Sequence, residues 1–152
     1  MSNELKNKLW NKMHEQGSVM VGLSKNDEHS EPMYAQVDED IANNLWIYTT
    51  KDNRVAGGGN SMLQFVGKEH DIFACLRGQL IEEKDKAMLD KFWSSGVEAW
   101  YENGKTDKNL LLMRFELESA EIWTQEPSIT GMLKLSTGAK VSASELGEHT
   151  LA

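Results

Sequence analysis

Two threonines and two cations follow one another closely at the end of an aromatic run, Trp46-Ile47-Tyr48-Thr49-Thr50-Lys51, with Arg54 just beyond. The run reads as a β-strand, since it is rich in β-branched and aromatic residues and is followed by the polar stretch 51–54. Its rings offer an apolar wall and its hydroxyls offer hydrogen bonds. Lys51 and Arg54 supply the charge that an anionic group requires. A second extended segment, Ser30-Glu31-Pro32-Met33, lies shortly upstream and carries Met33 and Gln36. Such a pair of strands would line a flat aromatic ligand and hold its polar edge. Each residue also has a purely structural use: Tyr48 can fill core, Lys51 can be a solvated strand-end charge, and Trp100 can pack a helix onto a sheet.

Other chemistries find no support in the chain. His14, His29, His70 and His149 have no partner at metal-ligand spacing, and with a single cysteine no zinc site is expected. Gly57-Gly58-Gly59 is not a dinucleotide fingerprint, because Met62 stands where the third glycine belongs, and no Gly-Lys-Ser or Gly-Lys-Thr follows it. No serine sits in a nucleophile elbow. Glu82-Glu83 lies in a polar stretch and reads as solvated surface rather than an acid–base pair.

Composition narrows the class further. A chain of 152 residues suits one domain with a true core. A net charge of -8 disfavours a nucleic-acid partner, which needs clustered Lys and Arg. Cys75, the one cysteine, falls in the apolar run Ile72-Phe73-Ala74-Cys75-Leu76 and reads as a small core residue. Apolar runs are too short to span a bilayer, and no hydrophobic signal region follows the charged N-terminal stretch. A cytoplasmic protein with no membrane partner is expected.

The elements that must position these residues can be placed along the chain. Leu5, Leu9 and Met13 recur at helical spacing over 3–16, with Gly17 to end the helix. Strands are expected at 18–23, 32–37, 45–50, 61–66 and 71–81, the last bent by a bulge at Gly78. The three glycines at 57–59 deny a helix and permit close backbone approach to a ligand. Helices follow at 84–93 and 97–101, then strands at 110–116 and 120–123. The stretch 136–152 is small and polar and reads as a mobile tail behind a domain at 1–135. Six to seven mainly antiparallel strands with two or three peripheral helices, and no strand-helix-strand rhythm, make an α+β barrel.

The ordered set resembles the flavin-binding split-barrel superfamily related to pyridoxamine 5′-phosphate oxidase, and within it the general stress protein 26 group. The likeness spans about residues 4 to 125. It rests on Pro32-Met33 with Gln36, the strand Trp46-Ile47-Tyr48-Thr49-Thr50, Asp71-Ile72-Phe73-Ala74 leading to Arg77-Gly78, Phe92-Trp93 with Ala99-Trp100-Tyr101, and Leu110-Leu111-Leu112 with Arg114 before Ala120-Glu121-Ile122-Trp123. It implies a split β-barrel homodimer with two flavin mononucleotide (FMN) sites at the subunit interface. The ring would lie on the strand 46–50, contacted by Met33, Gln36 and Tyr48. Thr49, Thr50, Lys51 and Arg54 would serve its polar edge and phosphate, and Trp100 would close the cleft. Two functions are then open: a flavin oxidoreductase acting on a small molecule, or a non-catalytic stress-associated barrel that binds flavin weakly or not at all.

One position departs from the pattern. The family commonly carries arginine just before the Pro-Met pair, where it reaches the phosphate, and this chain has Glu31. Either Arg54 and Lys51 take over the phosphate, or Glu31 turns to solvent, or the barrel holds a different ligand or none.

Overall fold

The structure is a computed structural model that describes residues 2–25, 27–125, 137, 138, 140 and 149–151, with the backbone alone for Ser2 and Asn3. Helix α1 (Ser2–Glu15) leads into strands β1 (Ser18–Leu23), β2 (Glu31–Gln36), β3 (Asn44–Thr50), β4 (Gly59–Val66) and β5 (Ile72–Glu82). Helices α2 (Lys86–Phe92) and α3 (Ser95–Glu98) and a short 3-10 turn at Gly104–Thr106 precede β6 (Leu110–Thr124), and β7 is His149–Leu151. The strands run β3-β2-β1-β4-β5-β6-β7, and β3 also pairs β6, so six of them close on themselves. Every pairing is antiparallel. This is the expected α+β split barrel with an added edge strand. Most of the expected tail lies outside the described residues; 149–151 pair with 121–123 of β6.

Period-two alternation turns one face of each strand inward. Val19, Val21 and Leu23 of β1 meet Leu63 and Phe65 of β4, Ile72, Ala74 and Leu76 of β5, and Phe115 and Ile122 of β6 in one core. Leu5, Leu9, Trp10 and Met13 of α1 complete it, as the four-residue spacing requires. With this interior filled, a ligand has to bind outside the barrel or at its ends.

Two expectations are corrected here. Cys75 is half-buried on the outward face of β5, between Gln64 and Glu121; the run 72–76 alternates Ile72, Ala74 and Leu76 inward with Phe73 and Cys75 outward. The two strands expected at 110–116 and 120–123 are one continuous strand. β6 stays hydrogen-bonded to β5 across a register shift at Arg77/Gly78, where Gly78 faces Leu117 and Arg77 faces Ser119, so that Glu118 is the extra residue. The bulge predicted from Gly78 is present, and it lets the polar stretch around Glu118 remain in the ladder.

Glu83 is also not solvated. Its carboxylate accepts from Trp46 Nε1 at 2.8 Å and pairs with Arg114 Nη1 at 3.0 Å, while Arg114 Nη2 reaches Glu116 at 3.1 Å. Burial pushes the Glu83 pKa up, but the indole N–H, the guanidinium and the Asp85 amide overrule it and hold it below the usual value. A carboxylate depressed in the folded state contributes stability above its unfolded pKa and loses it as pH falls through the folded value. The melting temperature is therefore expected to hold from neutrality to about pH 5 and to drop below about pH 4. Glu83→Gln lowers the plateau and flattens that acid limb; a limb of unchanged steepness would rule Glu83 out as its cause.

A cationic cradle at one end of the barrel

The aromatic strand β3 divides its side chains between two duties. Leu45, Ile47 and Thr49 are buried, the first two in the core cluster. Trp46 and Tyr48 face outward and are covered by α2. Phe92 packs on Trp46 with ring centroids 5.2 Å apart, and Trp93 meets Tyr48 edge-on at 5.6 Å. The Tyr48 hydroxyl donates to the Leu89 carbonyl, and burial raises its pKa. Within one chain, Tyr48 and Thr49 thus belong to the packing. Gln36 pairs with Trp46 in register and lines a surface cavity of about 450 Å³ with His14, Asp38, Lys91 and Phe92. Met33 packs against the core from β2.

The other expected site residues gather where β3 ends. Thr50 donates to the Asp52 carboxylate and helps to lower its pKa. The Lys51 amide donates to Asn109 at 2.9 Å while its side chain is exposed. Arg54 lies in the β3–β4 loop, with Nη1 donating to the His29 carbonyl at 2.9 Å. Trp100, 85% exposed, stands on the turn after α3. That turn is tied to the same end by the Tyr101 hydroxyl, which donates to the Thr49 carbonyl at 2.7 Å and whose pKa burial pushes up to about 12.

Lys25 joins this group, and the sequence reading missed it. β1 and β4 are paired through Leu23 and Ser61, and the Ser24 amide donates to the Asn60 carbonyl at 2.8 Å. Lys25 is thereby laid over the glycine loop. A Cβ on Gly57 would sit 3.8 Å from Lys25 Nζ, and one on Gly59 4.0 Å. Gly58 has φ +66° and Gly59 φ +104°, the left-handed region that glycine adopts without strain. The only available signal was the triplet itself: three residues without side chains make room for something, here an ammonium from another turn.

Glu31 is the acidic member of the group. Its Oε2 is buried without a hydrogen bond, and Arg54 Nε faces it at 3.4 Å. The two residues on which the sequence reading placed opposite expectations are therefore partners. Apolar side chains also point outward from the sheet in two groups: Met20, Pro32 and Met62 from β1, β2 and β4 toward this end, and Val66, Phe73 and Trp123 from β4, β5 and β6 at the opposite end, with the row Gln64, Cys75 and Glu121 between them. Register links them in rows, Met20 beside Pro32, and Val66 beside Phe73 beside Trp123. No group of three or more potential metal ligands occurs among the described residues. No described helix is long and apolar enough to cross a membrane.

Lys25 over bare glycines, with Lys51 and Arg54 in the loop at the same end of the barrel, offers cations suited to an anionic group, and Met20, Pro32 and Met62 offer an apolar surface. Residues 4–146 match the pyridoxamine 5′-phosphate oxidase like family. The chain belongs to this family. A general stress FMN/FAD binding protein from Xanthomonas citri is 40% identical, with TM-score 0.76 over 84% of this chain and 93% of that one. A protein assigned to the general stress family from Xanthomonas campestris is 36% identical, with TM-score 0.75 over 85% and 92%. General Stress Protein 26 from Bacillus anthracis, 18% identical with TM-score 0.65 over 78% and 93%, shares the fold. No curated protein is significantly similar.

Proposed function

We propose that the protein is a cytoplasmic FMN-binding oxidoreductase whose two sites form when two copies pair through the apolar sheet face. The observation that supports this reading is Lys25 Nζ over the Gly57-Gly58-Gly59 loop, at the end of the barrel where β3 leads into Lys51 and Arg54. Lys25 and Lys51 hold the phosphate as point charges, and the glycines let it approach the backbone. Met20, Met62 and Pro32 give the ring an apolar floor, and a second copy covers it and removes water. Trp100, exposed on its anchored turn, closes the cleft. Bound flavin supplies the electron or hydride transfer to a small-molecule substrate; the chain supplies binding, orientation and the exclusion of water.

A second reading, a non-catalytic stress-associated barrel with weak flavin affinity, is favoured by one observation: Arg54 already has Glu31 as a partner. Sedimentation equilibrium of the protein with FMN, followed by flavin absorbance, separates the readings. The oxidoreductase reading expects flavin to travel with a species of twice the 17.2 kDa chain mass. Flavin that stays with the free ligand, or protein that remains at the chain mass, would contradict it.

A further inference from the structure

We infer that Glu31 is a latch on Arg54 that sets how strongly the cradle distinguishes phosphorylated from unphosphorylated flavin. The inference rests on the flavin reading above. Three observations support it. Glu31 Oε2 is buried yet makes no hydrogen bond, and among the described residues the cation paired with it is Arg54, with Nε at 3.4 Å. That distance is long for a charge-assisted hydrogen bond, which closes to about 2.7–2.9 Å, so the pair is held by charge without good directional bonding. Arg54 is also oriented by its Nη1 bond to the His29 carbonyl, a contact that does not involve Glu31.

The consequence is electrostatic. As a pair, Glu31 and Arg54 add no net charge to the cradle, and phosphate is held by Lys25 and Lys51. A phosphate dianion can offer Arg54 two parallel hydrogen bonds that Glu31 does not make, but reaching them requires parting Arg54 from a carboxylate whose buried Oε2 would then lose its cation. Arg54 is therefore silent toward phosphate in the native chain and would be released by neutralising Glu31. Because each side chain of the pair is about a third exposed, solvent screening keeps the effect moderate.

The test is a cycle of titrations with FMN and riboflavin on the native protein, Glu31→Gln, Arg54→Ala and the double variant. Glu31→Gln is expected to bind FMN about tenfold tighter, with riboflavin unchanged. Arg54→Ala, which leaves Glu31 facing the phosphate, binds FMN more weakly. The double variant returns close to the native affinity, since the charge of the cradle is again that of the intact pair. A gain over the native protein shared equally by riboflavin, or a double variant that also binds FMN tighter than the native protein, would overturn the latch. If neither flavin binds any of the four proteins, the flavin reading falls. Inorganic phosphate then decides the latch alone: it should raise the melting temperature of Glu31→Gln more than that of the native protein, and equal shifts would overturn it.

Discussion

Gly78→Ala is expected to destabilise the barrel by on the order of 3 kcal/mol, the upper range for forcing extra volume into a packed interior. A Cβ at this position would lie 2.1 Å from the Glu116 carbonyl oxygen and 2.9 Å from the Phe115 ring. The first contact is with backbone, so no side-chain rotation relieves it. Relief requires β5 and β6 to separate where their register shifts, and these two strands hold the barrel's most extensive pairing. The midpoint of urea unfolding reports the loss; a shift equivalent to less than about 1 kcal/mol would mean that the bulge yields more easily than its geometry indicates.

Lys25→Met is expected to weaken FMN by about 1.5–3 kcal/mol, the range for a hydrogen bond to a charged group, and to leave riboflavin nearly unaffected. Methionine keeps the length and apolar stem of lysine and removes only the charge, so the glycine loop retains its cover. The native pairing of Leu23 with Ser61 and of Ser24 with Asn60 anchors the backbone just before the change. Isothermal titration with both ligands measures the difference. Equal losses would show Lys25 supporting the loop and not the phosphate.

Much of the architecture was legible because its signals are local. Period-two alternation placed β1 to β5, helical spacing placed α1, and Gly78 announced the bulge. Where the reading failed, the deciding interactions join distant parts of the chain. Glu82-Glu83 looked solvated in a polar stretch, yet Glu83 is claimed by Trp46 from β3 and Arg114 from β6, which only barrel closure brings together. Cys75 was assigned to the core because five apolar residues in a row conceal which side each faces; the partly buried Phe73 and the apolar sheet face explain why that alternation is invisible in residue types.

The candidate site was legible to a lesser degree, for the same reason. Lys51 and Arg54 were singled out from their proximity to an aromatic strand; they lie in the loop where that strand ends, the end to which Tyr101 ties the turn that carries Trp100. Tyr48 and Thr49 drew attention as ligand contacts, but within a single chain their groups are engaged: the Tyr48 hydroxyl by Leu89, and the Thr49 carbonyl by Tyr101. Lys25 gave no local sign, since its role depends on the antiparallel register of β1 and β4. Glu31 stood out as a departure from the family pattern, and its partner became evident only when β2 and the β3–β4 loop were seen side by side.

The central claim is that the end of the barrel around Lys25, Lys51 and Gly57-Gly58-Gly59 recognises a flavin phosphate. Equilibrium titration of the native protein with FMN and with riboflavin, in the same buffer and free of inorganic phosphate, tests it most directly. The account predicts tighter binding of FMN, with the preference narrowing as salt rises because exposed lysines are screened. Equal affinity for the two ligands at low salt, or tighter binding of riboflavin, would contradict it.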